Sequence, residues 1–513
     1  MRDRVERPPA VVMFVMNDLL NDPRVQREAR AAVQAGFRVT VVSRQSDRYR
    51  TERETVDGYD IVRVRAPTFR IALPLFTLLC RLMSFRWVIT KTGVVLKEGV
   101  KLALGLPPGP EAPQPVTGHV SRLRRLKWGL MQGIGVLLLP ARAFRPFLQR
   151  LGQRPQAETP PKSYWKGFWE KVTRAVYEAD FLEEMFWTTA AMLRAVRAVR
   201  AEVYHGNDLP TLPLTIWAAR RVKGKAVYDS HELWAEQGTE MTPFLVAISR
   251  RVEARYIRRM DAVVTVNDFL AEALRKQYRI PPPTVIMNCP ELSTPRPVPL
   301  GSSIRAALGL SPHTPLILYQ GRYGRGRGLE ALIESGRYLT QGVIVLRGYG
   351  DNEADLRRRV ADLDVSGRVF MVDPVPMADL VAAAAEADVG VVPYTACARG
   401  YYYASPNKLF EYMMAGLAIA VSALPFLEKI VRGDDLGVVF DPSDPRDIAE
   451  QLNVLTGNAA RLRSCRANAL RAARERYHWG YEGRKLVTLY QNLAAVTTRQ
   501  SVWPAAVSGR SLG

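Results

Sequence analysis

Short, unbroken apolar runs alternate with amphipathic stretches along most of this chain, and they do so in two series. The first opens with AVVMFVM (10–16), too uniformly apolar to have a wet face, so it reads as a strand covered on both sides. Asn21, Asp22 and Pro23 supply cap and turn chemistry. PRVQREARAAVQAG then has helical spacing and stops at Gly36, after which FRVTVVS returns as a strand. That is a β-α-β unit, the start of a parallel sheet. From residue 201 the alternation resumes, with strands AEVYHG, KAVYDS, DAVVTVN and PTVIMN separated by helical stretches.

The segment PELSTPRPVPLGSS (290–303) has no periodicity and reads as a linker. A second series follows: PLILYQG, GVIVLRG, RVFMVD, ADVGVVPY, LAIAVS and LGVVF read as strands, each followed by a helical segment. Residues 457–497 read as helical. The expected fold class is α/β, with two doubly wound, Rossmann-like parallel sheets facing a central cleft. The expected organisation is a first domain over 1–298, a second over 299–475, a helix over 476–497 packing back toward the first domain, and a disordered tail over 498–513. Ligands in such folds bind at the carboxyl ends of the strands.

Residues 66–186 interrupt the rhythm of the first domain. They hold two half-length apolar segments, IALPLFTLLCRLMSF and WGLMQGIGVLLLPA, neither reaching the ~18 uninterrupted apolar residues of a spanning helix. RLRRLKWGLMQ sets cations beside a Trp, as an interfacial helix does. Two readings stand: a contact with an anionic membrane surface, or a helical insertion with its own small core. The net charge of +22 implies an anionic partner. No zinc-finger, RRM or KH pattern is present and the basic residues are spread out, so nucleic acid is not expected. The N-terminus reads as a first strand and not a signal peptide. The four cysteines, Cys80, Cys289, Cys397 and Cys465, have no zinc or redox spacing, and the five histidines are scattered, so no metal is expected.

The sharpest local signal is YQGRYGRGRGLEAL (319–332), a strand, a Gly/Arg-rich loop and a helix. Glycines such as Gly321 let backbone N–H groups approach a ligand, and a helix N-terminus favours anions. Arg322 and Arg327 can both fork onto a phosphate; a basic surface turn is the plainer alternative. VLRGYGDNEADL repeats the arrangement, bringing Gly348 and Gly350 to a strand end. Asp373 and Val375 follow the next strand, either presenting backbone groups to a flat base or forming a plain turn. In ASPNKLFEYMMAG (404–416), Glu411 is the one carboxylate in an apolar helical stripe.

The ordered set GR-x4-RG, VLRGYGDNEADL, SPNKLFEYMMAG and GVVFDPSDPRDIAEQL resembles the C-terminal donor domain of retaining glycosyltransferases of family 4, which have the GT-B fold. NDPRVQREARAAVQAGFRVTVVS, HGNDLPTLPL and YDSHELWAE resemble that family's N-terminal acceptor domain. The resemblance spans roughly 10–66 and 190–497. It implies that Arg322 and Arg327 neutralise a donor pyrophosphate, the second position usually being lysine. It also implies that Glu411 binds the ribose hydroxyls of the nucleotide. The family's first glutamate would fall at position 403, where this chain has Tyr403. Tyr403 is therefore placed among the substrate contacts, and Ser405, Asn407 and Lys408 are expected to line the site at the helix N-terminus.

In the first domain, His205, Asn207 and Asp208 occupy a strand end, and Asp229, His231 and Glu232 the next. Asp208, His205 and His231 are the catalytic candidates, and Asn207, Glu232 and Arg24 the candidate substrate contacts; capping and loop packing are the alternatives. The implied reaction moves a sugar from a nucleotide diphosphate sugar, UDP- or GDP-linked, to a saccharide or lipid-linked acceptor, with retention and without a metal or other cofactor. The implied setting is the cytoplasm, at the inner face of the plasma membrane, in cell-envelope synthesis. The alternatives are a degenerate nucleotide-binding scaffold and a nucleotide-sugar epimerase of the same architecture.

Overall fold

The computed structural model describes residues 7–20, 22–46, 51–65, 162–236, 241–292 and 303–501. The chain forms two compact units, one of Met1–Thr68 with Glu184–Gly513 and the other of Phe69–Glu183. In the second unit only the part of the Lys162–Ala195 helix up to Glu183 is described. The apolar segments at 71–85 and 128–141 lie outside the described residues, as does most of the expected tail. No helix among the described residues is long and apolar enough to cross a membrane.

Two sheets build the larger unit. The first holds β1 (Ala10–Phe14), β2 (Arg38–Arg44), β3 (Arg53–Val56), β4 (Tyr59–Val64), β5 (Val203–Asn207), β6 (Lys225–Ser230), β7 (Ala262–Thr265) and β8 (Thr284–Val285). Its order is β3-β4-β2-β1-β5-β6-β7-β8. The second holds β9 (Leu316–Arg322), β10 (Val343–Tyr349), β11 (Val369–Val372), β12 (Val389–Val392), β13 (Ala418–Ser422) and β14 (Gly437–Phe440), in the order β11-β10-β9-β12-β13-β14. All pairings are parallel except β3 with β4. Strand order reverses at β1/β5 in one sheet and at β9/β12 in the other. Loops leave such switch points on opposite faces and open a crevice at the strand ends.

Four helices matter below. Helix α1 (Pro23–Gln34) follows β1 and is capped by Asp22, whose side chain accepts from the Val25 N–H. Helices α2 (Arg399–Tyr402) and α3 (Asn407–Met414) follow β12. Helix α4 (Trp479–Ser501) returns from the second sheet and packs on α1, β5 and β6. Its Trp479, Leu486, Tyr490 and Ala494, on one helical stripe, join the core around Val11, Met13 and Val203. The backbone N–H of Trp479 donates to Pro290 O at 2.7 Å, and buried Glu482 accepts from the Met287 N–H at 2.9 Å. These bonds tie the two chain crossings between the sheets to each other.

The structure adds two features to the expected pattern. Residues 53–64 form the β3–β4 hairpin, turned by Asp57 and Gly58, both at positive φ. The Asp-Gly pair is a hairpin signal, but the strands beside it are charged and short, so no apolar run marks them. The helical stretch from 457 is two helices, Ala459–Glu475 and α4, broken at Arg476–His478. Helix α4 runs to Ser501, beyond the expected start of the tail at 498.

Gly328 shows how tightly the β9/β12 crevice is built. It has φ +67, and a Cβ there would lie 1.7 Å from Pro393 O, just past β12. Gly328→Ala is expected to destabilise the protein by about 2–4 kcal/mol through backbone strain and steric overlap. Chemical denaturation checks this, and unchanged stability would contradict the close approach.

Candidate functional site

At the β9/β12 switch point the second domain gathers two cations, three tyrosines and a carboxylate. The Gly/Arg-rich loop leaves β9 and bends back at Gly326 and Gly328, both at positive φ. That bend lays the Arg327 guanidinium 4.4 Å over the Tyr394 ring and 5.5 Å from the Tyr401 ring. Lys408, in the first turn of α3, is 8 % exposed. Its Nζ lies 3.8 Å from the Tyr319 ring centroid and 5.3 Å from that of Tyr394. A Cβ on Gly321 would lie 3.1 Å from the same Nζ, and its φ of +136 is one that residues with a side chain rarely adopt.

Burial, reinforced by Arg327 and opposed by Glu411, holds the Lys408 ammonium well below the ordinary lysine range. For Arg327 burial is outweighed by the oxygens of Tyr394, Tyr319 and Tyr401 and by Glu232, and its affinity for a proton rises. Glu411, one turn beyond Lys408 and half-buried, is raised by burial against the pull of Lys408 and Arg27. The arrangement is thus a desolvated cation pair on aromatic faces, where each ring contributes about 2 kcal/mol, with a carboxylate three residues along the same helix. A dianion fits the first part and a vicinal diol the second.

The other second-domain candidates fall in different places. Arg322, the last residue of β9, is 60 % exposed and pairs at 3.3 Å with exposed Asp351, and among the described residues it makes no contact with the Tyr394 ring. Arg327 and Lys408 are the two expected cations that share the tyrosine faces. Gly350 packs under Tyr323, where a Cβ would lie 2.2 Å from the Tyr323 carbonyl oxygen. Val375 sits in the turn after β11 and is partly exposed. Asn407 begins α3 and accepts at Oδ1 from Asn288 Nδ2 of the first domain at 2.8 Å. The Ser405 hydroxyl is buried with no hydrogen-bond partner among the described residues. Tyr403 points away from the cation pair. Its side chain packs on the first domain's core around Leu209, Leu212 and Tyr228, and its carbonyl accepts from Asn267 Nδ2 at 2.8 Å.

The first domain places a buried charge cluster at the β1/β5 switch point. Arg24, on the first turn of α1, lies 2.5 Å from Asp229 Oδ2 and 2.9 Å from Glu28 Oε1. His205 Nε2 is 3.7 Å from both Glu28 and Asp229, and its Nδ1 is 2.7 Å from the Tyr490 hydroxyl of α4. Arg24, Glu28, His205 and Asp229 are all at most 3 % exposed. Glu28, His205 and Asp229 present ligand atoms within 4.8 Å of one another. Arg24 already supplies the positive charge between the two carboxylates, which leaves a metal ion little to neutralise. Arg24 and His205 are therefore internal members of this cluster, and Asn207 is too, its Nδ2 donating to Phe14 O at 3.2 Å.

His231 is the member that reaches outward. It is 20 % exposed, with Nδ1 3.5 Å from Asp208 and Nε2 3.6 Å from Asp229. Burial and Arg24 oppose its charge, but Asp208 and Asp229 prevail and raise the imidazole well above its ordinary value. Asp208 adopts φ 63, ψ 162, backbone that residues other than glycine rarely take, and makes no side-chain cap bond. Glu232 is exposed beyond His231, on the side whose charge Arg327 and Tyr394 sense.

Sequence reasoning missed Glu28, Arg27, Tyr394 and Tyr490. Arg24 and Glu28 sit four apart on α1, a spacing visible in the sequence, but their burial depends on α4, some 450 residues away. Arg27 donates to Asn288 Oδ1 and also lies 5.8 Å over the Trp479 ring. Tyr394 ends the quoted run ADVGVVPY, yet nothing local says that two cations stack on it.

Two family models match this chain, one described as Glycosyl transferases group 1 over residues 314–458 and one as Glycosyltransferase Family 4 over residues 155–293. Together they cover more than half of it. The D-inositol 3-phosphate glycosyltransferase of Xylanimonas cellulosilytica is 27% identical over 255 residues, 46% of this chain and 58% of that protein. The amylovoran biosynthesis glycosyltransferase AmsK of Erwinia amylovora is 28% identical over 232 residues, 42% of this chain and 55% of that protein. The chain thus spans little more than half the length of these curated relatives. Among solved structures, sucrose-phosphate synthase from Thermosynechococcus elongatus superposes with a TM-score of 0.59 at 16% identity, covering 95% of this chain and 100% of that one. HepE of Anabaena, in complex with UDP and glucose, gives 0.57 at 13% identity, covering 96% and 100%. At these identities the likeness shows the fold, which is GT-B.

Burial, against Arg24 and with Asp229, raises Glu28 to about 7. A carboxyl raised in the folded state stabilises fully below its unfolded value, and that contribution is lost as pH rises through about 7. Glu28→Gln is therefore expected to gain stability relative to the parent between about pH 4.5 and 7. Urea titrations at several pH values check this, and a difference independent of pH would contradict the buried proton equilibrium.

Proposed function

The chain belongs to the GT-B glycosyltransferases of the group 1, family 4 type, and from that premise we propose that it moves a sugar from a nucleotide diphosphate sugar to an acceptor hydroxyl with retention of configuration. The observation that carries this reading is the cluster of Arg327, Lys408 and Glu411 at the β9/β12 strand ends. Arg327 and Lys408 hold the diphosphate, the α3 N-terminus adds its partial positive charge, and Glu411 accepts from the ribose hydroxyls. UDP- and GDP-sugars are the donors proposed.

The bond between the sugar's anomeric carbon and the diphosphate oxygen breaks as a bond to the acceptor oxygen forms on the same face. The acceptor's proton passes to the leaving phosphate oxygen, giving a glycoside and a nucleoside diphosphate. Charge accumulating on the leaving group is met by Arg327 and Lys408, so this route needs no metal. His231, kept protonated by Asp208 and Asp229, faces the site from the first domain with Glu232 and orients sugar or acceptor hydroxyls. Arg24, His205 and Asn207 act behind it by fixing Asp229 and the β5 end.

The acceptor is proposed to be a saccharide or a lipid-linked saccharide of the cell envelope, met at the cytoplasmic face of the membrane. Residues 66–161 support this, with fourteen Lys and Arg against three Glu, half of the chain's net charge of +22.

Binding of UDP-, GDP- and ADP-sugars by calorimetry tests the donor reading. Arg327→Ala and Glu411→Ala are each expected to weaken the preferred donor by about 10- to 100-fold, the worth of a charge-assisted hydrogen bond. Burial and Arg327 hold Lys408 well below its ordinary range. An arriving diphosphate opposes both, so binding raises it and is linked to proton uptake at any pH between the free and the bound value. Donor affinity is therefore expected to rise as pH falls, and heats in buffers of different ionisation enthalpy are expected to show that uptake, lost in Lys408→Met. Undiminished affinity in Arg327→Ala, or no proton uptake, would contradict the assignment.

A further inference from the structure

Tyr403 takes the position at which the resemblance places a glutamate, and its surroundings give it other work. The α2 turn carries three consecutive tyrosines. Residues two apart on a helical turn face opposite ways, and Tyr401 and Tyr403 do so here. Tyr401 faces the cation pair: its ring lies 5.5 Å from the Arg327 guanidinium and 6.1 Å from the Tyr394 ring, and its hydroxyl donates to Arg325 O at 3.1 Å. Tyr403 faces the first domain, with its ring on the core around Leu209, Leu212 and Tyr228 and its carbonyl on Asn267. Arg399, at the start of the turn, pairs at 2.9 Å with buried Glu236 of the first domain, and its guanidinium lies 5.9 Å from the Tyr403 ring. Backbone bonds from Tyr403 N to Arg399 O and from Ala404 N to Tyr401 O make the turn one rigid piece.

We propose that α2 is a strut: Asn267, Glu236 and the Tyr403 contact hold the turn against the first domain, and thereby press Tyr401 against Arg327 and shape the diphosphate site. Tyr403 is then a positioning residue, and seating of the two domains and affinity for the nucleotide are one equilibrium. The inference rests on the donor reading of the Arg327–Lys408–Glu411 cluster.

The test is calorimetric binding of UDP, GDP and ADP to the full chain, well below the melting temperature. Asn267→Asp keeps the oxygen that caps the Asp268–Tyr278 helix but loses the amide that holds Tyr403 O. Arg399→Gln removes the charge facing Glu236. Each is expected to raise the Kd of the preferred nucleotide about fivefold or more, the worth of one hydrogen bond, and Arg399→Lys is expected to restore it. Lys429→Ala removes an ion pair with Asp268 that also joins the domains but lies outside α2. It is expected to leave the Kd unchanged, which separates the strut from general loosening. Tyr403→Glu, which supplies the family's carboxylate, is expected to weaken binding of the matching nucleotide sugar.

Unchanged affinity in Asn267→Asp and Arg399→Gln, or tighter sugar-nucleotide binding in Tyr403→Glu, overturns the strut while the donor reading stands. Failure of the parent chain to bind any of the three nucleotides overturns the donor reading and the strut with it.

Discussion

Two cations held side by side in a dry place are the constraint on which the second domain is built. Arg327 and Lys408 repel each other, and both lose water on folding. The ring faces of Tyr319, Tyr394 and Tyr401 offset part of that cost, and Glu411 offsets more. Other features follow from keeping this pair in position. Gly321 and Gly328 bring backbone close to Lys408 and to Pro393. The Tyr412 hydroxyl accepts from the Gln320 N–H at 2.6 Å, fixing the end of β9 against α3. A core of this kind gains little stability from its charges, so their placement is better understood as preorganisation for an anion.

The first domain solves the opposite problem. Its cluster has two buried carboxylates and one buried guanidinium; burial raises Glu28 to about 7, and Asp208 and Asp229 together raise His231 well above its ordinary value. The domain thereby presents a fixed imidazolium at its surface, anchored from behind by Asp229 and Arg24. Helix α4 closes the cluster with Tyr490, so the segment that returns from the second domain completes the charge pattern of the first. The two switch points are linked through α4, Arg27 and Asn288 at one end and α2 at the other.

Much of this was legible in the sequence because the fold signals are local. Apolar runs, helix stops and a proline-rich linker mark most strands of both sheets, and strand-loop-helix context marks the Gly/Arg loop. What was not legible depends on which way a side chain turns. Arg322 and Arg327 look alike on a loop, and only the bend at Gly326 and Gly328 sends one to Tyr394 and leaves the other beside Asp351. Both histidines read as strand-end residues, but His205 lies within β5, between β1 and β6 and against Tyr490 of α4, whereas His231 comes after the end of β6 and stays partly exposed. Tyr403 reads as a substituted site residue until the first domain's core is seen beneath it.

The central claim is that Arg327, Lys408 and Glu411 form one nucleotide diphosphate site. A crystal structure of the full chain with UDP or GDP tests it most directly. The account predicts pyrophosphate oxygens within hydrogen-bond distance of Arg327 and Lys408, and ribose hydroxyls on Glu411. A nucleotide bound elsewhere, or bound here with its pyrophosphate turned away from both cations, would contradict it.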